Sequence, residues 1–174
     1  TCMDVAMPMV IARASDFGLV GNETLDELDN NNTFFERMEK VRLAAAKKMG
    51  MGDCAASVTP KFGIVAPNDQ INHLTVRYFM PWRTHPTLAV TGSQCVGSGA
   101  LTPDTVAYPL MTKSESIPAH LVLHHPMGTM DVITDYSLKD DTFVHKSAGI
   151  IRTARKLAEG KVFIPISIWD GDST

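Results

Sequence analysis

The residues with the greatest chemical capacity are gathered in one stretch, RYFMPWRTHPTLAVTGSQC, residues 77–95. An alternating segment ends there in Arg83 and His85, and the chain then passes through Thr91, Gly92 and Ser93 into a run of small residues with helical character. The first turn of a helix carries backbone N–H groups without intrahelical partners and a partial positive charge. A glycine-containing helix start followed by Ser and Gln can therefore hold an anion, carboxylate above all. Arg83 and His85 would bring further donors to it. The same residues admit a plainer reading, with Ser93 only a capping serine and Gly92 only a packing glycine, and spacing does not separate the two. Cys95 also has two readings: a thiol near a helix start can be acidified into a nucleophile or proton carrier, whereas free cysteine is more often a small buried hydrophobe.

Elsewhere the chemistry is thinner. His124 and His125 are neighbours on an alternating segment, so as strand residues they face opposite sides and cannot chelate one ion together. No H-E-x-x-H or carboxylate cluster occurs, and no metal site is expected; a Ser/His/Asp arrangement would lack the G-x-S-x-G elbow. The three cysteines, Cys2, Cys54 and Cys95, are an odd count without C-x-x-C spacing, which argues against a disulfide framework or structural zinc and for a reducing compartment. With 16 basic against 19 acidic residues, a net charge of −3 and no Lys/Arg cluster, nucleic acid is not an expected partner. The apolar runs fall far short of the ~20 residues that span a bilayer, so neither is a membrane.

The elements that must position residues 77–95 follow from periodicity. At 174 residues and 44% hydrophobic content, one domain with its own core is expected. Residues 5–14 read as a strand whose Pro8 suits an edge or bulge, and residues 16–21 as a turn. Thr33 with Glu36 reads as a capping box opening a surface helix. Phe34, Met38, Val41 and Ala45 recur at helical spacing, Lys47 and Lys48 fill its last turn, Gly50 ends it, and Asn30 to Asn32 lie before it as a loop. From residue 57 the period changes to two. KFGIVAP and HLTVRYFMP read as strands, with Leu74, Val76, Tyr78 and Met80 on one face. Residues 87–101 are nearly uncharged and small, predicting a buried helix that begins around Gly92 or Ser93. AHLVLHH and TMDVITDY read as a hairpin about Pro126-Met127-Gly128, residues 142–153 as a long strand, residues 155–160 as a turn and KVFIPISIW as a last strand, with a polar tail over residues 169–174. The order predicts an α+β fold with a curved, mainly antiparallel sheet wrapped around a central helix, plus one surface helix.

Several of these segments, in this order, resemble the PrpF family: DVAMPMVIAR (residues 4–13), GLVGNE (18–23), VRLAAAKKMGMGD (41–53), TPK (59–61), residues 77–93, HPMG (125–128), RTARKLAEG (152–160) and VFIP (162–165). That family includes 2-methylaconitate isomerase, 4-oxalomesaconate tautomerase and aconitate delta-isomerase, and has the diaminopimelate epimerase-like fold. DVAMP and RYFMPWRTHPTLAV are more similar to the oxalomesaconate and aconitate branch. The resemblance implies a two-lobed, cofactor-independent isomerase of unsaturated di- or tricarboxylic acids, each lobe a curved sheet around a helix, with substrate in the cleft between them. Residues 1–168 would be the C-terminal lobe. The family's proton-transfer residues, a Lys in an S-x-x-S-K type segment and a Cys or Ser near a second glycine-rich turn, lie in the other lobe. Neither segment occurs here, so no catalytic residue is expected in this chain, and Lys61 in TPK does not replace that base.

On this reading Thr91, Gly92 and Ser93 cradle a substrate carboxylate and Arg83 and His85 orient it. Pro86 and Met127 depart from the family's usual residues, which leaves substrate preference open. The partners implied are the substrate and the missing N-terminal lobe, with a homodimer left open. The start at Thr1 reads as a missing true start. A cytoplasmic location is expected, and a mitochondrial leader would be hidden. The competing reading is a non-catalytic binding or dimerisation module derived from such an enzyme.

Overall fold

The computed structural model describes residues 1–140 and 142–171, so the last half of the expected polar tail, residues 172–174, lies outside the described residues. Eight strands form one sheet: β1 (Cys2–Asp4), β2 (Pro8–Arg13), β3 (Lys61–Pro67), β4 (His73–Phe79), β5 (Thr84–His85), β6 (Ala119–His125), β7 (Gly128–Lys139) and β8 (Thr142–Ile150). Their order is β1-β2-β3-β4-β6-β7-β8, with β5 paired to the end of β4. Five of the seven pairings are antiparallel, and β2–β3 and β4–β6 run parallel. Three α-helices accompany them among the described residues: α1 (Leu25–Asp29), α2 (Asn32–Lys48) and α3 (Val90–Leu101). No helix among the described residues is long and apolar enough to cross a membrane.

The sheet curls around α3, which touches β1 and β2 near one edge and β6, β7 and β8 toward the other. From Cys95 to Leu101 the helix is buried on every side, so its residues there are small and uncharged. Its glycines are close-approach residues. A Cβ on Gly97 would stand 3.2 Å from Val132, one on Gly99 3.1 Å from Ile11, and one on Gly92 2.3 Å from the Tyr78 ring. Glycine costs about 1 kcal/mol of helix propensity each time relative to alanine, so α3 exists by virtue of its burial.

Two cores result. Tyr78, Val76 and Leu74 of β4 join Leu121, Leu123 and Val132 against α3, while Phe62, Ile64 and Phe79 turn the other way to meet Phe34 and Met38 of α2. The α2 stripe differs from expectation at one position. Val41 is 38% exposed and Arg42 is fully buried in its place. Its guanidinium is satisfied there by both Glu39 carboxylate oxygens at 2.7 Å and by the carbonyls of Cys54, Thr59 and Pro60.

The expected capping box is also displaced. Asn31 caps α2 by accepting from the Phe34 N–H at 3.0 Å, and Thr33 lies inside the helix. The reciprocal Thr24–Glu27 box opens α1 instead. The larger correction follows β8: residues 151–165 form no strand, nor does KVFIPISIW, because among the described residues no strand lies beside that segment to form a ladder with it.

Candidate active site

The residues 77–95 stretch converges on one end of the sheet. At the end of β4, Tyr78 pairs with His85 of β5, so both side chains lie on the α3 face, and their rings meet edge to face with centroids 5.8 Å apart. The hairpin is closed by the Met80 N–H donating to the Arg83 carbonyl at 2.9 Å and anchored to α1 by the Thr84 N–H donating to the Asp29 carboxylate at 2.8 Å. His85 Nδ1 accepts from the Thr87 N–H at 3.0 Å, so in the neutral ring Nε2 carries the proton. Arg83 is exposed near the hairpin tip.

The helix start lies earlier than expected. Ala89 is the N-cap, without a side-chain cap, and the Ser93 N–H already closes the first intrahelical bond to Ala89 at 2.8 Å. The first-turn N–H groups are therefore those of Val90, Thr91 and Gly92. Val90 is exposed and Thr91 half-buried. Ser93 is not a cap: it is fully buried and its hydroxyl donates back to the Val90 carbonyl at 2.7 Å. Gly92 is buried against Tyr78, a packing glycine whose side-chain position has no path to solvent through that ring. Tyr78 thus touches both His85 and Gly92, and its buried hydroxyl has no hydrogen-bond partner.

Cys95, one turn further in, is fully buried and hydrogen-bonds to the Met3 carbonyl. Burial pushes its thiol up to about 11, so of its two readings the structure has the small interior hydrophobe. Between β1 and β2, Ala6 adopts φ = 61°, a left-handed conformation that costs a non-glycine residue about 1–2 kcal/mol.

One residue of this site was weighed in the sequence only as a metal ligand, not as part of the carboxylate site. His125 ends β6 in the same inward register as Ala119, Leu121 and Leu123, and its Nδ1 accepts from the Met127 N–H at 3.2 Å. Burial holds its pKa below the usual histidine value; a hydrogen bond to the Thr129 backbone opposes this, and Arg77, Arg152 and His85 lower it further. The alternation of β6 running into a histidine beside a Pro-Met-Gly turn was the signal for His125. His124 faces the other way, as expected for adjacent strand residues, and its Nε2 meets His73 Nδ1 at 2.7 Å.

On that outer side Arg77 is 6% exposed and donates to the carbonyls of Glu23 and Val76, at 2.8 and 3.0 Å. It borders a cavity of about 330 Å³ lined also by residues 22–26, Pro126 and Met127. The GLVGNE, RYF and HPMG segments thus meet there. Among the described residues no three His, Cys, Asp or Glu side chains are grouped to hold a metal ion.

A curled sheet enclosing a glycine-rich helix defines a mixed α+β class that is represented among solved structures. The fold is similar to that of the crystal structure of methylitaconate-delta-isomerase, with a TM-score of 0.72 at 23% identity over 87% of this chain and 44% of that one. The PrpF protein family model matches residues 1–165, and the chain belongs to that family. It is 36% identical over 95% of its length to the YbhH protein of Escherichia coli (strain K12), covering 46% of that protein. It is 35% identical to the (4E)-oxalomesaconate Delta-isomerase of Novosphingobium sp. over 94% of this chain and 45% of that protein. With the 4-oxalomesaconate tautomerase of Pseudomonas putida it shares 32% identity, over 98% of this chain and 46% of the relative. The chain therefore spans about half the length of the curated relatives it matches.

Proposed function

We propose that this chain is one lobe of a cytoplasmic isomerase or tautomerase of unsaturated di- or tricarboxylic acids, and that it binds substrate carboxylates at the sheet end described above. The observation that carries the reading is the contact of Tyr78 with both His85 and the start of α3, with His125 at the end of β6 on the same face of the sheet. His85 and the first-turn N–H groups of α3 donate hydrogen bonds there, as a carboxylate requires. The names of the relatives from Novosphingobium and Pseudomonas support the substrate class.

The chemistry follows from where charge develops. A 1,3-allylic proton shift removes a weakly acidic C–H, and electron density moves onto the adjacent carboxylate or keto oxygen. Fixed donors aimed at that oxygen stabilise the transition state, by ~3 kcal/mol for a well-placed one. In this lobe the donors are the Val90 and Thr91 N–H groups and His85 Nε2–H, with Arg83 at the exposed margin. The Gly92 and Ser93 side-chain positions take no part in the contact. The base that removes the proton and the acid that returns it come from the other lobe, so this chain orients the substrate and stabilises its charge.

The test is deuterium incorporation at the allylic carbon of trans-aconitate or 4-oxalomesaconate in D2O. The polypeptide encoded by the whole reading frame should exchange and isomerise the substrate, and the 174-residue chain alone should not. Turnover by the chain alone would move the proton-transfer residues into this lobe. Carboxylate binding without turnover by the whole polypeptide would favour a binding module.

A further inference from the structure

Two of the six histidines, His85 and His125, are followed by proline, and they are the two that stand on the α3 face of the sheet at the candidate site. Each makes the same local contact. His85 Nδ1 accepts from the Thr87 N–H at 3.0 Å across Pro86, and His125 Nδ1 accepts from the Met127 N–H at 3.2 Å across Pro126. The Thr87 hydroxyl adds a second contact to His85 Nδ1, at 3.3 Å. The pattern is that of an Asx turn, in which a side-chain acceptor takes the backbone N–H two residues on. Asp53 and Asn68 form the oxygen version in this chain, with the Ala55 and Gln70 N–H groups. Proline suits the middle position, because its φ is fixed near −65° and the first N–H that follows the histidine is then that of the third residue. Of the other histidines, His73 and His124 bond to each other and His120 bonds to Asp131.

A ring nitrogen that accepts an N–H carries no proton, so in both neutral rings the proton is on Nε2. The hydrogen bond of His125 to the Thr129 backbone also needs a ring N–H, and Nε2 is the nitrogen left to supply it. Burial lowers the His125 pKa, which favours the neutral ring. A general base must present an unprotonated nitrogen to the proton it removes. Both rings turn that nitrogen to their own backbone and are left with an N–H to offer.

We propose that the His85-Pro86-Thr87 and His125-Pro126-Met127 turns are paired tautomer locks, which hold both imidazoles as Nε2–H donors to a bound carboxylate and keep both out of proton transfer. This rests on the reading of this end of the sheet as a carboxylate site. Thr87 and Met127 act through their backbone N–H groups, and with the two prolines they are positioning residues. A donor whose proton is already in place need not change tautomer when substrate binds or when charge develops on it, which is the preorganisation that makes a fixed donor effective.

The experiment is nitrogen NMR of the histidine rings at neutral pH in the polypeptide encoded by the whole reading frame, with and without trans-aconitate. Both rings should show an unprotonated Nδ1 and a protonated Nε2 before the ligand is added. The same tautomer should persist afterwards, with the Nε2–H proton of each ring shifted downfield. Asparagine and glutamine separate the two nitrogens, since an Asn oxygen can stand in for Nδ1 and a Gln amide N–H for Nε2–H. His85→Asn and His125→Asn should therefore keep the turn and the melting temperature but weaken trans-aconitate binding by about tenfold or more, and His85→Gln and His125→Gln should recover part of that loss. A proton on Nδ1 of either ring, a change of tautomer on binding, or Asn variants that bind as wild type would each overturn the proposal. The expected tautomers in a polypeptide that does not bind trans-aconitate would overturn the carboxylate reading, and the donor role with it, while leaving the turns themselves in place.

Discussion

Tyr78 and His85 face each other across the β4–β5 ladder, with ring centroids 5.8 Å apart at 88°. The other side of the Tyr78 ring lies where a Cβ on Gly92 would be. One aromatic ring therefore sets both the height of His85 and the closeness of α3, joining packing to the candidate chemistry.

Gly92→Ala should destabilise the fold by about 1–3 kcal/mol, because the added methyl would stand 2.3 Å from the Tyr78 ring and neither helix nor ring can move freely. Tyr78→Phe should be neutral or stabilising by up to about 1 kcal/mol, since it removes a buried hydroxyl without a partner. Urea unfolding of the two variants checks both. A benign Gly92→Ala would mean that α3 is not held against β4 as described.

Arg42→Ala should cost about 3 kcal/mol or more, because it removes the partner of Glu39 and leaves three carbonyls facing a void. Arg42→Lys should recover only part, since one ammonium cannot reproduce the paired contacts to the Glu39 carboxylate. Thermal unfolding of the two variants is the measurement.

His124 and His125 both have pKa values lowered by burial, His124 with a further contribution from His73. A histidine depressed in the folded state binds fewer protons there than when unfolded. Its contribution to stability is therefore complete above the ordinary value of 6.5 and is lost as pH falls through the folded value. Unfolding free energy should decline between about pH 7 and pH 5. The His124→Gln and His125→Gln double variant should show a shallower decline, and an unchanged slope would contradict the assignment.

How much was legible in the sequence depended on how local each signal is. The β6–β7 hairpin could be read because strict alternation meets a Pro-Met-Gly turn, both properties of adjacent residues. Helix α3 was legible as a buried helix but not at its start, since Ala89 and Val90 carry no capping side chain and Ser93, which looks like a cap, turns its hydroxyl back to Val90. KVFIPISIW was read as a strand, yet pairing is a property of two strands, and none of the described strands pairs with it. The exchange of Val41 for Arg42 in the α2 stripe depends on carbonyls that arrive from residues 54–60, far outside any helical period.

The central claim is that the β5–α3 end of the sheet, with His85 and His125, holds substrate carboxylates. The most direct test is the affinity of the whole encoded polypeptide for trans-aconitate, by titration calorimetry, in wild type, His85→Ala and His125→Ala, with melting temperature measured alongside. Each substitution should weaken binding by about tenfold or more, the equivalent of one lost hydrogen bond to a charged group, with little change in stability. Affinity unchanged in both folded variants would contradict the account.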